Sequence, residues 1–358
     1  MSLVDGESAL RGALRGAGHL LPGARPGIDG HGPEFEAVVD GLWRAYADRA
    51  PAGTPVMAFG PLIDAAQFTA TDYPRSFPQL VGEVEVFRGG DPEHRALIGD
   101  VDAGRDWTGY FEPSGMTLVP ATCQNVYPRY AGTLEAPTTV FCRSWCFRHE
   151  PSEDPVRMVA FRICEYVHLG TPDSAEAFRA DWLELLLDLF RGLGLDVAAD
   201  RANDPFFGRV GRMLAANQLQ SGMKNEISVD LYPDRRTAIS SSNAHRTHFA
   251  DSFGIRLPDG GPAHTACAGF GIERVAIALL ATHGMAVADW PGPVRRAAGA
   301  SLQHAAQNTV LGEMLHQVGR WGEEERPLHL VEAAPLTELV GRRVMEALRL
   351  LGRVPCLL

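Results

Sequence analysis

The chain has 358 residues, of which 45% are apolar and 22% charged, and its formal net charge is −11. These totals suit a soluble globular chain with a sizeable core and disfavour wholesale binding to a nucleic-acid backbone, which usually needs a basic surface. No run of about 18 apolar residues is present to cross a membrane, and residues 1–9, with Asp5 and Glu7, lack the apolar centre of a secretory signal.

Residues 1–54 read as an N-terminal helical segment. Phe35, Val38, Val39, Leu42, Trp43 and Tyr46 recur at three and four, which predicts a helix with one apolar face. Prolines at 51 and 55 break it, and residues 56–59 read as a strand. Residues 73–80 hold Tyr73, Phe77 and Pro78, and Val84 and Val86 alternate behind them. Residues 83–112 are polar and rich in turn formers, an expected excursion from the core.

Residues 117–123 resume a strand that ends on Cys123. Residues 138–147 and 156–169 form a long hairpin about the turn 151–155, with charged residues near its loop. Thr171, Pro172 and Asp173 make a helix start, a capping hydroxyl followed by proline and an acid. Gly192 and Gly194 end that helix. A turn at Asp204-Pro205-Phe206-Phe207-Gly208 leads to a further helix carrying Arg209 and Arg212. Residues 224–231 and 237–241 read as two more strands. A small-residue stretch, 264–271, then runs into an apolar helix with Arg274 at the junction. Two or three helices follow residue 285, the last, 335–351, being amphipathic. Strands do not alternate regularly with helices, so the reading is α+β: an antiparallel sheet flanked by helices, with a helical insertion at 172–223.

Three groups of residues carry chemistry. The first is Arg148 and Glu150, then Arg157, Phe161 and Glu165 spaced four and four. On a strand, even spacing puts side chains on one face. Guanidinium groups, a flat ring and a carboxylate there would suit a nucleoside triphosphate. A cross-strand ion pair of Arg157 with Glu150 or Glu153 is the plainer alternative. Arg274 adds a guanidinium beside a helix start, a natural place for phosphate oxygens, and Gly269 and Gly271 would let a ligand approach the backbone.

The second group is Cys123, Glu165 and Cys267. Two thiolates and a carboxylate are acceptable zinc ligands, and three protein ligands leave one position open for substrate. A lone strand cysteine is more often core filler, the reading given to Cys142, Cys146 and Cys164. All six cysteines, Cys356 included, are scattered without a disulfide framework, as in the cytoplasm. The third group is Lys224, Asn225 and Glu226 with Ser240, Ser241, Ser242 and Asn243, either a polar pocket floor or a hydrogen-bonded turn. His245 and His248 read as plain loop residues.

Taken together these motifs resemble a known family. Phe147-Arg148-x-Glu150 with Arg157-x-x-x-Phe161-x-x-x-Glu165 is similar to motif 2 of class II aminoacyl-tRNA synthetases of the seryl type, and 269–274 to motif 3. Tyr73-x-x-x-Phe77-Pro78 resembles the end of motif 1, the dimer-forming element, and 239–243 the segment before motif 3. Cys123, Glu165 and Cys267 match the zinc set of the atypical, archaeal-type seryl enzymes. Residues 204–208 and 263–267 are similar to stretches of their truncated relatives, the amino acid:[carrier protein] ligases. The resemblance spans residues 55–285 and leaves a C-terminal helical region, 286–358, without a counterpart.

The resemblance implies a class II synthetase-like catalytic core, a homodimer, and activation of a small amino acid with ATP and Mg2+ to the aminoacyl-adenylate. The aminoacyl group then passes to the phosphopantetheine thiol of an acyl or peptidyl carrier protein. Arg148 would hold the α-phosphate, Glu150 the adenine amino group, Phe161 the base, and Arg157 and Arg274 the outer phosphates. Zn2+, one per chain, on Cys123, Glu165 and Cys267 would take the substrate amine. Ser242 and Asn243 would shape the amino-acid pocket, and Glu226 would support the metal or nucleotide. A tRNA-binding N-terminal domain has no room in about 50 residues, so no tRNA partner is expected. Arg201, Arg209 and Arg212 in the insertion suit docking of an acidic carrier protein. The alternatives are an atypical seryl-tRNA synthetase-like enzyme charging tRNA or another acceptor, and a catalytically silent paralogue that binds an amino acid or adenylate. Retention of every motif residue favours an active enzyme.

Overall fold

The computed structural model describes residues 6–233 and 235–298. The predicted helix at 335–351 and the rest of the C-terminal region past 298 lie outside the described residues. At the centre is a sheet built from β1 (Val56–Phe59), β5 (Thr138–Phe147), β6 (Ala160–Gly170), β7 (Val197–Arg201), β8 (Lys224–Tyr232), β9 (Arg235–Arg246) and β10 (His264–Gly271). Their order is β7-β8-β9-β10-β6-β5-β1. Neighbours are antiparallel except β1, which lies parallel to β5 at one edge. A smaller sheet, in the order β2-β4-β3, contains β2 (Leu62–Asp64), β3 (Glu83–Phe87) and β4 (Phe111–Leu118).

The large sheet has two different faces, because side chains alternate along each strand. Phe141, Tyr166, Ala266, Ala268 and Phe270 point to one face and join the main core. That face is covered by α2 (Pro33–Ala47), α4 (Pro172–Gly192) and α6 (Ile272–His283), with α1 (Glu7–Gly16) packed alongside. Tyr46 of α2 donates its hydroxyl to the Ala268 carbonyl at 2.8 Å, and Tyr166 donates to the Tyr46 carbonyl at 2.9 Å. The Tyr166 and Trp182 rings stack at 3.9 Å. Each such buried aromatic contributes roughly 2–3 kcal/mol by area, so this face is where the fold is held. Leu10, Leu14, Phe35 and Leu42 belong to the same core, so the N-terminal segment is built into it. The opposite face carries Cys142, Glu165, Val167 and Cys267.

Local chemistry explains the element ends. Thr171 caps α4 by accepting from the Ser174 amide at 3.2 Å, with proline at the first position. Asp64 caps the short helix Ala65–Ala70 by accepting from Ala66 and Gln67.

The structure departs from the sequence reading at several places. Residues 83–112 hold β3, α3 (Asp91–Asp102) and the start of β4; they looked like loop because α3 buries no side chain. The strand before Cys123 stops at Leu118, since Pro120 has no amide to donate, and Cys123 sits in the 3-10 turn Thr122–Asn125. The hairpin's second arm begins at Ala160, four residues later than 156, which places Arg157 in the loop. The insertion 172–223 is not purely helical: it holds α4, α5 (Gly208–Ser221) and the edge strand β7 between them. β9 runs on to Arg246, so His245 is a strand residue and not a loop residue. Among the described residues, no helix is long and apolar enough to cross a membrane.

Candidate active site

The second face of the sheet forms the floor of a cavity of about 280 Å³. β6 supplies Phe161 and Glu165, β10 supplies Cys267 and Gly269, β9 supplies Ser241, Asn243 and His245, and β8 supplies Lys224 and Glu226. Register places Asn243 opposite Cys267, Ser241 opposite Gly269, and Gly269 opposite Glu165. Cys123 closes the cavity from its 3-10 turn and Arg148 from just past the end of β5.

Residues 123, 165 and 267, far apart in the chain, converge. Their sulfur and oxygen atoms lie within 4.8 Å of one another, and all three are buried. The Cys123 amide donates to Glu165 Oε2 at 3.1 Å, which orients the carboxylate. Gly269 makes room for it: a Cβ there would stand 2.6 Å from Glu165 Cγ and 2.2 Å from the Cys164 carbonyl oxygen. This glycine thus makes room for the neighbouring strand as well as lining the cavity. Glu165 is raised to about 8, first by burial and then by Cys267, against the hydrogen bonds from Cys123. The hydrogen bond from the Cys123 thiol holds Cys267 well below the usual thiol range against its burial, helped by His245 and Asn243. That same hydrogen bond and burial push Cys123 up. Two thiols and a carboxylate at this separation fit a zinc-type cation, which would ionise all three.

Beside this triangle lies a cluster of positive charge. Arg148 Nε donates to the Pro120 carbonyl at 3.1 Å, and its guanidinium stands 5.5 Å from the Phe161 ring centroid. Burial works against its charge, but Tyr73, Cys146, Asp204 and Glu150 outweigh it and raise its pKa. Arg274 donates to the Val156 and Ala238 carbonyls at 3.0 and 2.8 Å. Burial, then Arg148 and Arg157, lower it to about 10. Arg148 and Arg274 both line the cavity, and two guanidinium groups there have the chemistry to meet an anion of several charges. Arg157 is paired at 3.5 Å with Glu150, the plainer of the two sequence readings. Neither is among the residues that line the cavity.

Ser242 does not belong to the pocket. It is fully buried on the other face, where its hydroxyl donates to the Arg179 carbonyl at 2.8 Å. The period of two assigns the floor instead to Ser241 and Asn243, whose amide donates to Ser241 Oγ at 3.1 Å and to Cys267 Sγ at 3.4 Å. Glu226 is not free: Lys224 Nζ bridges it at 2.9 Å and Asp204 at 2.5 Å. The pairing holds the Asp204 carboxyl down against its burial. His245 was missed. Its Nε2 lies 3.7 Å from Cys267 Sγ, and its Nδ1 3.3 Å from the Tyr127 hydroxyl. Tyr73 and Phe77, read as the end of a dimer-forming element, line the cavity. Phe77 stacks on Phe206 at 4.9 Å, joining that segment to the turn at 204–208.

A second cavity, of about 600 Å³, opens beside α4 and is lined by Arg179, Arg201, Arg246 and Glu176 among others. Ala244 lines both cavities. Arg201 and Arg212 are exposed, whereas the Arg209 side chain lies outside the described residues.

No family model matches the chain. It is 40% identical over 274 residues to amino acid–[acyl-carrier-protein] ligase 2 of Bradyrhizobium diazoefficiens, covering 75% of this chain and 82% of that protein. Ligase 1 of the same organism is 40% identical over 276 residues, covering 76% and 85%. The type-2 serine–tRNA ligase of Methanopyrus kandleri is 27% identical over 196 residues, 50% of this chain and 37% of that one. Among solved structures, M. kandleri seryl-tRNA synthetase in complex with a tRNA superposes with a TM-score of 0.71 at 21% identity, covering 83% of this chain and 61% of that chain. The Pyrococcus horikoshii seryl-tRNA synthetase complexed with ATP gives 0.56 at 13% identity, covering 76% and 58%. These last two likenesses establish the class II synthetase fold.

Proposed function

This chain belongs to the family of amino acid–[acyl-carrier-protein] ligases, and from that membership we propose that it activates a small amino acid with ATP and passes it to a carrier protein. In the first half-reaction a carboxylate oxygen attacks the α-phosphorus and pyrophosphate leaves. In the second, the phosphopantetheine sulfur attacks the carbonyl carbon, the thiol proton is lost and AMP leaves. The observation that carries the reading is the convergence of Cys123, Glu165 and Cys267 in one cavity with Arg148 and Arg274.

Arg148 holds the α-phosphate and meets the charge that builds on it during attack, where a fixed donor is worth most. Arg157 and Arg274 take the outer phosphates, and Glu150 exchanges Arg157 for the adenine amino group. Phe161, now under Arg148, is the ring against which the base stacks. Zinc on Cys123, Glu165 and Cys267 supplies, when bound, Lewis-acid capture of the substrate's α-amino group. Asn243 and Ser241 line the amino-acid pocket, and Glu226 faces the nucleotide or the Mg2+ that accompanies it. The carrier protein docks on the insertion 172–223, where Arg201 and Arg212 are exposed and the second cavity opens beside α4. The protein works as a cytoplasmic homodimer; the five described cysteines are all free thiols, which suits a reducing compartment.

ATP–pyrophosphate exchange across all the amino acids tests the first half-reaction, and exchange with none of them refutes it. Transfer of the labelled amino acid to holo-carrier protein but not to total tRNA tests the second. Charging of tRNA alone would replace the ligase reading by a synthetase one.

A further inference from the structure

The loop that joins β5 to β6 and carries Arg157 is held from outside the cavity. Asp154, Pro155, Val156 and Val159 in it are buried. The Asp154 carboxylate, 2% exposed, gathers three donors. The Tyr232 hydroxyl donates to Oδ1 at 2.6 Å and the Val156 amide to the same oxygen at 3.2 Å. Arg235 reaches Oδ2 at 2.6 Å and also pairs with Glu7 of α1 at 2.5 Å. Arg11 of α1 pairs with Glu153. Further along the N-terminal segment, the Gly27 carbonyl accepts from the Val159 amide at 2.9 Å. Gly27 has φ +79°, and a Cβ on it would stand 2.9 Å from Val159 Cγ2, so a side chain there would be strained and crowded. The inner side of the same loop meets the arginines. The Val156 carbonyl accepts from Arg274 Nε at 3.0 Å, and the Val159 carbonyl from the Arg148 amide at 2.9 Å. Arg157 lies between them, its amide donating to the Asp154 carbonyl at 2.9 Å. Val156 and Val159 thus each tie an outer anchor, through their own amide, to an inner arginine, through their own carbonyl.

We propose that Asp154 is a positioning residue of the nucleotide site: with Tyr232, Arg235 and the N-terminal segment it locks this loop so that Arg148, Arg157 and Arg274 are set for a triphosphate. The proposal rests on the activation reading and deepens it. Donors fixed before the ligand arrives are worth most, and a small misplacement of them is costly. Asp154 is not among the residues that line the cavity, so it acts only through the loop's peptide groups. A carboxylate that merely held the fold together would change stability and the fraction of active protein, and would leave each KM where it was.

The test is ATP–pyrophosphate exchange by the full-length protein and its Asp154→Ala and Arg235→Met variants, with the amino acid that the wild type uses best. Asp154→Ala should raise the KM for ATP by about tenfold or more and leave the KM for the amino acid within about threefold. Arg235→Met takes away one donor of the three, at a side chain 41% exposed, and should raise the KM for ATP by about threefold. Should Asp154→Ala fail to fold, Arg235→Met decides alone. A KM for ATP that does not rise overturns the proposal, and so does an equal rise in both KM values, the mark of a general distortion. Absence of exchange with every amino acid in the wild type refutes the activation reading itself. In that case calorimetric titration with tripolyphosphate decides on the clamp separately. Affinity about tenfold lower in Asp154→Ala, or threefold lower in Arg235→Met, sustains it; unchanged affinity, or no binding to the wild type, overturns it.

Discussion

Arg148 is held from two sides before any ligand arrives, by the Pro120 carbonyl and by the face of Phe161. A donor fixed in advance is worth about 3–4 kcal/mol in the transition state, so Arg148→Ala should slow adenylate formation by a hundredfold or more. Circular dichroism and melting temperature should stay near wild type, and an unaltered exchange rate would remove the residue from the mechanism. Cys267→Ala takes one thiol from the triangle. Metal content per chain, read by mass spectrometry after gel filtration, should fall from about one towards zero, together with amino-acid activation. Retention of a full complement of metal would mean that the ligands are elsewhere. Gly269→Ala is subtler. Its methyl would meet the Cys164 carbonyl and Glu165, and overpacking of this kind costs about 1–3 kcal/mol. It should lower the urea midpoint and weaken metal binding together, because the atom it displaces is attached to a ligand.

At the scale of elements, an ion-pair network outside the cavity adds to the packing of β6 against the helices. Arg162 of β6 reaches Glu273 of α6 at 2.5 Å and Glu36 of α2 at 2.7 Å, and His31 pairs with the same Glu36 at 2.9 Å. Glu273 is fully buried, whereas the Glu36 side chain is 39% exposed. Removing the Arg162 side chain leaves the buried Glu273 carboxylate without its counter-charge, with the residue-162 amide at 2.8 Å as a remaining donor, so Arg162→Ala should cost about 3–5 kcal/mol. Glu36→Gln should cost about 1 kcal/mol at most, given its exposure. Urea melts of the two variants rank them, and equal losses would mean that Glu273 is not sustained by Arg162. Burial opposes the Glu36 charge, but His31 and Arg162 overcome it and lower the carboxyl from 4.5 to about 2. The folded pKa is depressed, so this contribution is fully present above about pH 4.5 and is lost as pH falls towards 2. The difference in stability between wild type and Glu36→Gln should therefore shrink over that interval.

For the molecule as a whole, the crowded guanidiniums are a source of unfavourable charge that an anion relieves. Pyrophosphate or ATP should raise the melting temperature, adenosine much less, and the gain should weaken with salt and largely vanish in Arg274→Ala. Equal stabilisation by adenosine would place the binding energy in the base. Much of this molecule was legible in the chain itself. Periodicities of two and of three to four drew β5, α2, α4 and α6, because burial of one face depends only on local alternation. The pattern of arginines, cysteines and glutamate gave the family, since each chemistry admits few residue types. Pairing between strands was not legible, as register is set by contacts among residues scores of positions apart. Only the fold could send Ser242 to the helix face while keeping Asn243 in the cavity, lay His245 against Cys267, and hand Gly269 to Glu165. It likewise put Arg157 in a loop and brought Tyr232 and Arg235 onto the Asp154 carboxylate. A side chain's type is written in the sequence, but its neighbours across a sheet are decided by which strands pair and which way each face turns.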